Sequence, residues 1–139
     1  MVRNLLFLLC VSVIAAGCAN MEKTGGGKSC KAACDKPAKV LRHVVMFKFK
    51  DGTSAEDIKK VQNGFAALPA KIDAIYSFEW GTNISVENAS QGYTHCFLVT
   101  FKSEEDRAIY LPHPAHKEFA ASLRPYVEKV LVVDYWAAQ

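Results

Sequence analysis

Two stretches constrain this chain more than anything else in it. "LRHVVMFKFK" (Leu41 to Lys50) sets Leu41, His43, Val45, Phe47 and Phe49 on one side against Arg42, Val44, Met46, Lys48 and Lys50 on the other. "YTHCFLVTF" (Tyr93 to Phe101) puts Tyr93, His95, Phe97, Val99 and Phe101 on one side. A period of two is the signature of a strand. Yet the second sides are not polar, since Val44, Met46, Cys96 and Leu98 lie there. "KVLVVDYW" near the C-terminus is apolar on both sides. A sheet with two greasy faces needs two covers, and one layer of helices supplies only one. The economical second cover is a twofold-related copy packed sheet to sheet. The pattern predicts a homodimer with a barrel-like interior.

The segments between the strands supply the helices. "DGTS" breaks the first strand, and Ser54 followed by Asp57 reads as a helix cap. Ile58, Val61, Phe65 and Leu68 recur at helical spacing until Pro69 ends the run. "IDAIYSFEWGTN" reads as a strand with Tyr76, Phe78 and Trp80 on one face, followed by the loop "SVENASQG". Ser103 with Asp106 starts a short helix through about Tyr110, and a second helix runs from Pro114 to about Leu123. The order is β-α-β-β-α-β with its second helical part broken in two. This is an α+β, ferredoxin-like pattern with an antiparallel sheet and strands 1 and 3 at its centre. It occupies residues 40–139 as one domain of ordinary size. Cys96, inside an apolar run, is expected to be a small buried hydrophobe.

Residues 1–17 read as an export signal: Arg3, then the apolar run from Leu5 to Ala16, too short to span a bilayer comfortably. "AAGCAN" resembles a bacterial lipoprotein signal, in which Cys18 is lipidated and becomes the new N-terminus. An ordinary cleaved secretory signal is the other reading. Ala19 rather than Asp after that cysteine resembles the rule for sorting to the outer membrane, where a cell has one. The expected location is therefore the cell envelope, on the periplasmic face of such a membrane. Residues 18–39 lack apolar periodicity and read as a flexible tether. Five of the chain's 17 basic residues lie there; from Val40 onward eleven basic residues face twelve acidic ones. The domain is nearly neutral and carries no nucleic-acid stripe. An exported location permits a disulfide between Cys30 and Cys34. Two cysteines at C-x-x-x-C, with no other soft ligand near, do not make a metal site.

"YLPHPAHKEF" (Tyr110 to Phe119) holds two histidines, a tyrosine and two prolines. A residue before proline is held extended, as a helix N-cap is, and Pro114 suits the first helical position. His113 is thus an expected N-cap and His116 a first-turn residue. The positive end of the helix dipole disfavours an imidazolium there, and a neutral imidazole is a competent base. Tyr110 is placed to donate to a carbonyl or enolate oxygen. His43 and His95 lie on central strands. If their faces are one side of the sheet, all four imidazoles converge on an aromatic-lined cavity with Phe47. The bland alternative is a helix start plus two satisfied core histidines. No nearby Cys or carboxylate completes a metal set: Glu118 points elsewhere, and Glu79 and Asp134 read as rim or pairing residues.

From "HVVMFKFK" through "FEWGTN", "GYTHCFLVTF", "YLPHPAH" and "VLVVDY", residues 41 to 136 resemble the stress-responsive dimeric α/β-barrel family, Dabb. The resemblance implies a ferredoxin-like protomer and a dimeric barrel. Members of that family include stress-induced plant proteins and a plant polyketide cyclase, and antibiotic-biosynthesis monooxygenases share a similar architecture. By resemblance to the cyclase, His116 matches a general base, Tyr110 its partner and His43 a supporting histidine. That chemistry is an aldol condensation followed by aromatisation, without metal or organic cofactor. The expected function is a pocket for a small hydrophobic or aromatic ligand, with His43, His95, His113 and Phe47 as contacts. The alternative is a cofactor-independent enzyme on polyketide-like or phenolic substrates, cyclase-like or monooxygenase-like, with His116 and Tyr110 catalytic.

Overall fold

The computed structural model describes residues 37–138. Cys18, Cys30 and Cys34, with the signal and most of the tether, lie outside the described residues. The chain runs β1 (Lys39–Phe49), α1 (Ala55–Ala66), β2 (Ser77–Thr82), β3 (His95–Phe101), α2 (Glu104–Tyr110), α3 (Pro114–Ser122) and β4 (Val127–Ala138). The strands form one antiparallel sheet in the order β2-β3-β1-β4. This is the ferredoxin-like β-α-β-β-α-β arrangement, with strands 1 and 3 central as the alternation required.

The local signals act as read. Ser54 and Ser103 have extended backbones, and their hydroxyls accept from the N–H groups of Asp57 and Asp106. Each cap satisfies one of the orphan donors of a helix start, worth about 1 kcal/mol. Gly52, at φ +81°, turns the chain after β1 where a side chain would be strained. Three boundaries differ from expectation. Pro69 does not end helical structure, because it opens a 3-10 turn over Leu68–Ala70, a place where its missing N–H costs nothing. The second strand begins at Ser77, since Ile72 and Ile75 are buried and anchor the preceding segment as turns. The third begins at His95, because Tyr93 closes a turn onto Ser90 instead of joining the ladder.

The core lies between the helices and the aromatic face of the sheet. Phe65 on α1 stacks on Phe97 with ring centroids 4.6 Å apart and meets Phe119 on α3 at 4.8 Å. Phe47, Phe97 and Phe101 are fully buried there. α1 and α3 approach closely because residue 64 is glycine: a Cβ on it would lie 3.2 Å from the Phe119 ring.

Among the described residues, no helix lies on the other face of the sheet. Val44, Met46, Leu98 and Leu131 are only partly covered, and Val133 and Tyr135 are exposed. Cys96 belongs to this face and is exposed, which corrects the expectation of a buried thiol. The apolar run around it reflects a second apolar face, not burial within the protomer. β4 is apolar on both sides, as read: Val130, Val132 and Trp136 face the helix side, and all three are exposed.

His95 is a buried core histidine. The Gln62 amide donates to its Nε2 at 2.8 Å, so Nδ1 carries the proton and donates to the Thr94 hydroxyl at 2.9 Å. Phe49 and Phe97 flank the ring. Burial lowers its pKa below the usual histidine value. A lowered folded pKa means that the unfolded chain binds more protons below about pH 6.5, so this contribution to stability is full above that pH and lost as pH falls. Thermal melts should therefore drop between pH 7.5 and pH 5.5. His95→Gln should flatten that slope, and an unchanged slope would remove His95 as a source.

Candidate functional site

Because the helices sit over β1 and β3, the helix side of β4 stays uncovered. A cavity of about 520 Å³ opens there, between α3 and β4. Its walls are mostly apolar: Val45 and Phe47 from β1, Phe65 from α1, Phe119 and Leu123 from the α3 segment, and Val127, Val130 and Val132 from β4. Its polar groups are His43, Tyr110, His116, Asp134 and Arg124. The volume lies in the usual range for small-molecule sites.

Each polar group is held by its own element. His43 sits opposite Asp134 in the β1–β4 register, and its Nδ1 lies 2.6 Å from Asp134 Oδ1. A carboxylate only accepts, so His43 Nδ1 carries a proton and donates. Arg107, on α2, donates to the other carboxylate oxygen at 2.8 Å. The carboxylate thus bridges a guanidinium and an imidazole, and the imidazole cannot turn without breaking a short bond.

His116 lies in the first turn of α3, and its Nδ1 donates to the Leu111 carbonyl at 2.9 Å. Its Nε2 is left with a free lone pair. Burial lowers its pKa foremost; the Leu111 bond opposes this, while the nearby His43 and His113 rings act with burial. The ring is therefore neutral at pH 7 and able to take a proton. Tyr110, the last residue of α2, packs against His116 with ring centroids 4.3 Å apart and against His43 at 5.8 Å, edge to face. Its hydroxyl is buried and has no hydrogen-bond partner in the described structure. Burial pushes its pKa well above the ordinary phenol value, so it stays a neutral donor. An unpaired buried hydroxyl is costly, and such groups recur where a ligand supplies the missing partner.

His43, Tyr110, His116 and Phe47 are thus brought together. His95 and His113 do not line this cavity. His95 is on the same side of the sheet but pairs with Phe47, four residues along β1 from His43, or about 13 Å at the rise of a strand. It is spent on Gln62 and Thr94 and also edges a second hollow of about 400 Å³ beneath the loop after β2. His113 is the N-cap of α3, and its Nδ1 accepts from the Ala115 N–H at 3.2 Å. The convergence of four imidazoles is therefore corrected to two. Asp134 is a pairing residue, as read, but it pairs inside the site. Arg107 and Arg124 carry no signal in the local sequence. Only the α2 position of one and the α3–β4 junction of the other bring them in.

The family model described as the stress responsive A/B barrel domain matches residues 41–137. Over 95 residues the chain is 46% identical to the stress-response A/B barrel domain-containing protein HS1 of Arabidopsis thaliana, covering 68% of this chain and 87% of that protein. It is 34% identical over 95 residues to the olivetolic acid cyclase of Cannabis sativa, covering 68% and 94%. The solved structure of the hydroxynitrile lyase from Passiflora edulis matches with a TM-score of 0.68 and 28% identity, over 74% of this chain and 97% of that one. A dimeric ferredoxin-like protein of unknown function from Bacteroides fragilis matches with a TM-score of 0.57 and 30% identity, over 69% and 94%. The match takes in the sheet, the helices and the polar end of the cavity, and this chain belongs to the stress-responsive A/B barrel domain family.

Proposed function

We propose that this protein is exported, anchored to a membrane by lipid on Cys18, and works as a homodimer that holds a small hydrophobic or aromatic ligand between α3 and β4. The observation that carries the ligand reading is the cavity itself: apolar walls with a neutral imidazole and an unpartnered buried hydroxyl at one end. Apolar walls supply affinity, and a few fixed polar groups supply orientation.

The dimer reading rests on the uncovered face. Val44, Met46, Leu98, Leu131 and Val133 form a contiguous apolar strip there, rimmed by Arg42, Lys48 and Glu79. A strip of that kind marks an interaction surface, and the Bacteroides fragilis structure of the same fold is dimeric.

A second reading is favoured by one pair of groups. His116 Nε2 and the Tyr110 hydroxyl together suit proton transfer next to a carbonyl. In that reaction His116 takes the proton from the carbon beside the carbonyl, and the C–H electron pair moves to the oxygen as an enolate. Tyr110 donates a hydrogen bond to that oxygen. The enolate then attacks a second carbonyl of the same substrate, and the proton returns to the new alkoxide. Olivetolic acid cyclase and hydroxynitrile lyase are relatives by sequence and by fold whose names denote enzymes, which supports this reading without fixing the substrate. A monooxygenase-like reaction on a phenol would instead consume oxygen.

Three outcomes are expected. In sedimentation velocity at micromolar concentration, residues 37–139 should run as a dimer; a stable single subunit would sink the assembly. Cys18→Ser should move the protein from the membrane fraction to the soluble fraction, and unchanged partitioning would count against the anchor. With a polyketide-like substrate that turns over, His116→Ala should lower the rate by about 10²-fold or more while the dimer persists. Retained turnover would remove His116 from the chemistry.

A further inference from the structure

The cavity has two unlike ends. At one end lie His43, Tyr110 and His116, with Asp134, whose carboxylate is occupied by His43 and Arg107. At the other lies Arg124. His116, Ala120 and Arg124 all line the cavity at four-residue spacing along α3 and its extension. Eight residues at the helical rise put Arg124 about 12 Å from His116. Alanine in the middle of that stripe leaves open the space between the two ends.

Arg124 is the lining cation without a counter-charge. Among the described residues no carboxylate pairs with its guanidinium. The nearest strand acid of β4, Glu128, is engaged by Lys48 at 2.9 Å. Lys50 Nζ donates to the Arg124 carbonyl at 2.7 Å, which ties down the backbone that carries the guanidinium. The positive charge thus sits at one mouth, and the lining carboxylate sits at the far end.

We infer that the ligand is an amphiphilic anion, an apolar ring or chain ending in a carboxylate, and that Arg124 is the residue that reads the carboxylate. The charge distribution also sets the direction of entry. Arg107 and His43 already occupy Asp134, so the imidazole end offers an incoming carboxylate no unpaired cation; the carboxylate lies at Arg124, and the apolar or carbonyl-bearing part extends toward His116 and Tyr110. A planar guanidinium suits a carboxylate in two-pronged contact, which a lysine ammonium does not reproduce. This inference rests on the ligand reading of the cavity given above.

The test uses the full chain in phosphatidylcholine nanodiscs, with empty nanodiscs subtracted, and two probes of one shape: 4-phenylbutanoate and 4-phenylbutanamide. Affinities are read by ligand-observed NMR titration. The acid should bind at least tenfold more tightly than the amide, and 0.5 M salt should shrink that ratio. Arg124→Gln should cancel the advantage of the acid and leave the amide unchanged; Arg124→Lys should restore part of it. Equal affinity for acid and amide in the natural protein, or an advantage that survives Arg124→Gln, overturns the role of Arg124 and leaves the cavity standing as a ligand site. Failure of both probes to bind overturns the role of Arg124 and the ligand reading with it.

Discussion

The stacking of Phe65 on Phe97, with Phe119 packed against Phe65, is the contact on which the rest of this architecture depends. It draws α1 and α3 onto the middle of the sheet. Aromatic pairs of this kind add about 0.5–1.5 kcal/mol each beyond the area they bury. A helix layer centred there cannot also reach the edge strand, so β4 keeps Val130 and Val132 half in the open. The cavity is the gap left by that choice. The core and the site are one packing solution, and Phe65 and Phe119 serve both.

The polar end depends on where acceptors happen to fall. The Leu111 carbonyl, just past the end of α2, accepts from His116 Nδ1, and the Asp134 side-chain carboxylate accepts from His43 Nδ1. Each ring therefore keeps one nitrogen for fixing its plane and one for chemistry. Tyr110 keeps its whole hydroxyl. The arrangement spends no charged group on the cavity wall at that end other than a carboxylate already neutralised from two sides.

Much of the fold could be read from alternation, because a strand buried on one face leaves a period of two and a helix cap leaves a serine with an acid three residues on. Parity put His43 and His95 each on the aromatic side of its own strand and left open whether the two sides are one; the β1–β3 register makes them one. Parity does not say how far along a side a residue lies. That depends on register, and register put His95 opposite Phe47 while His43 faced Val99 and Asp134. Two imidazoles on one face were therefore not two imidazoles in one site. Cys96 was misjudged for a related reason: apolar neighbours in sequence are evidence of an apolar face, and a face is buried only when something lies on it. Arg107 and Arg124 were invisible because tertiary placement alone gives them a role: Arg107 acts on Asp134 across on β4, and Arg124 reaches the cavity from the turn between α3 and β4. The His113 cap was legible because proline geometry fixes it locally, whereas the pairing of Tyr110 with His116 was what the family resemblance implied.

Glycine 64 lines no wall, yet it governs one. Its bare backbone lets the Phe119 ring come within 3.2 Å of where a methyl would stand, and Phe119 is a side of the cavity. The bore of the ligand chamber is therefore calibrated from a neighbouring helix by a missing atom. Evolution or an engineer wishing to resize that chamber has a dial at a site the ligand never touches.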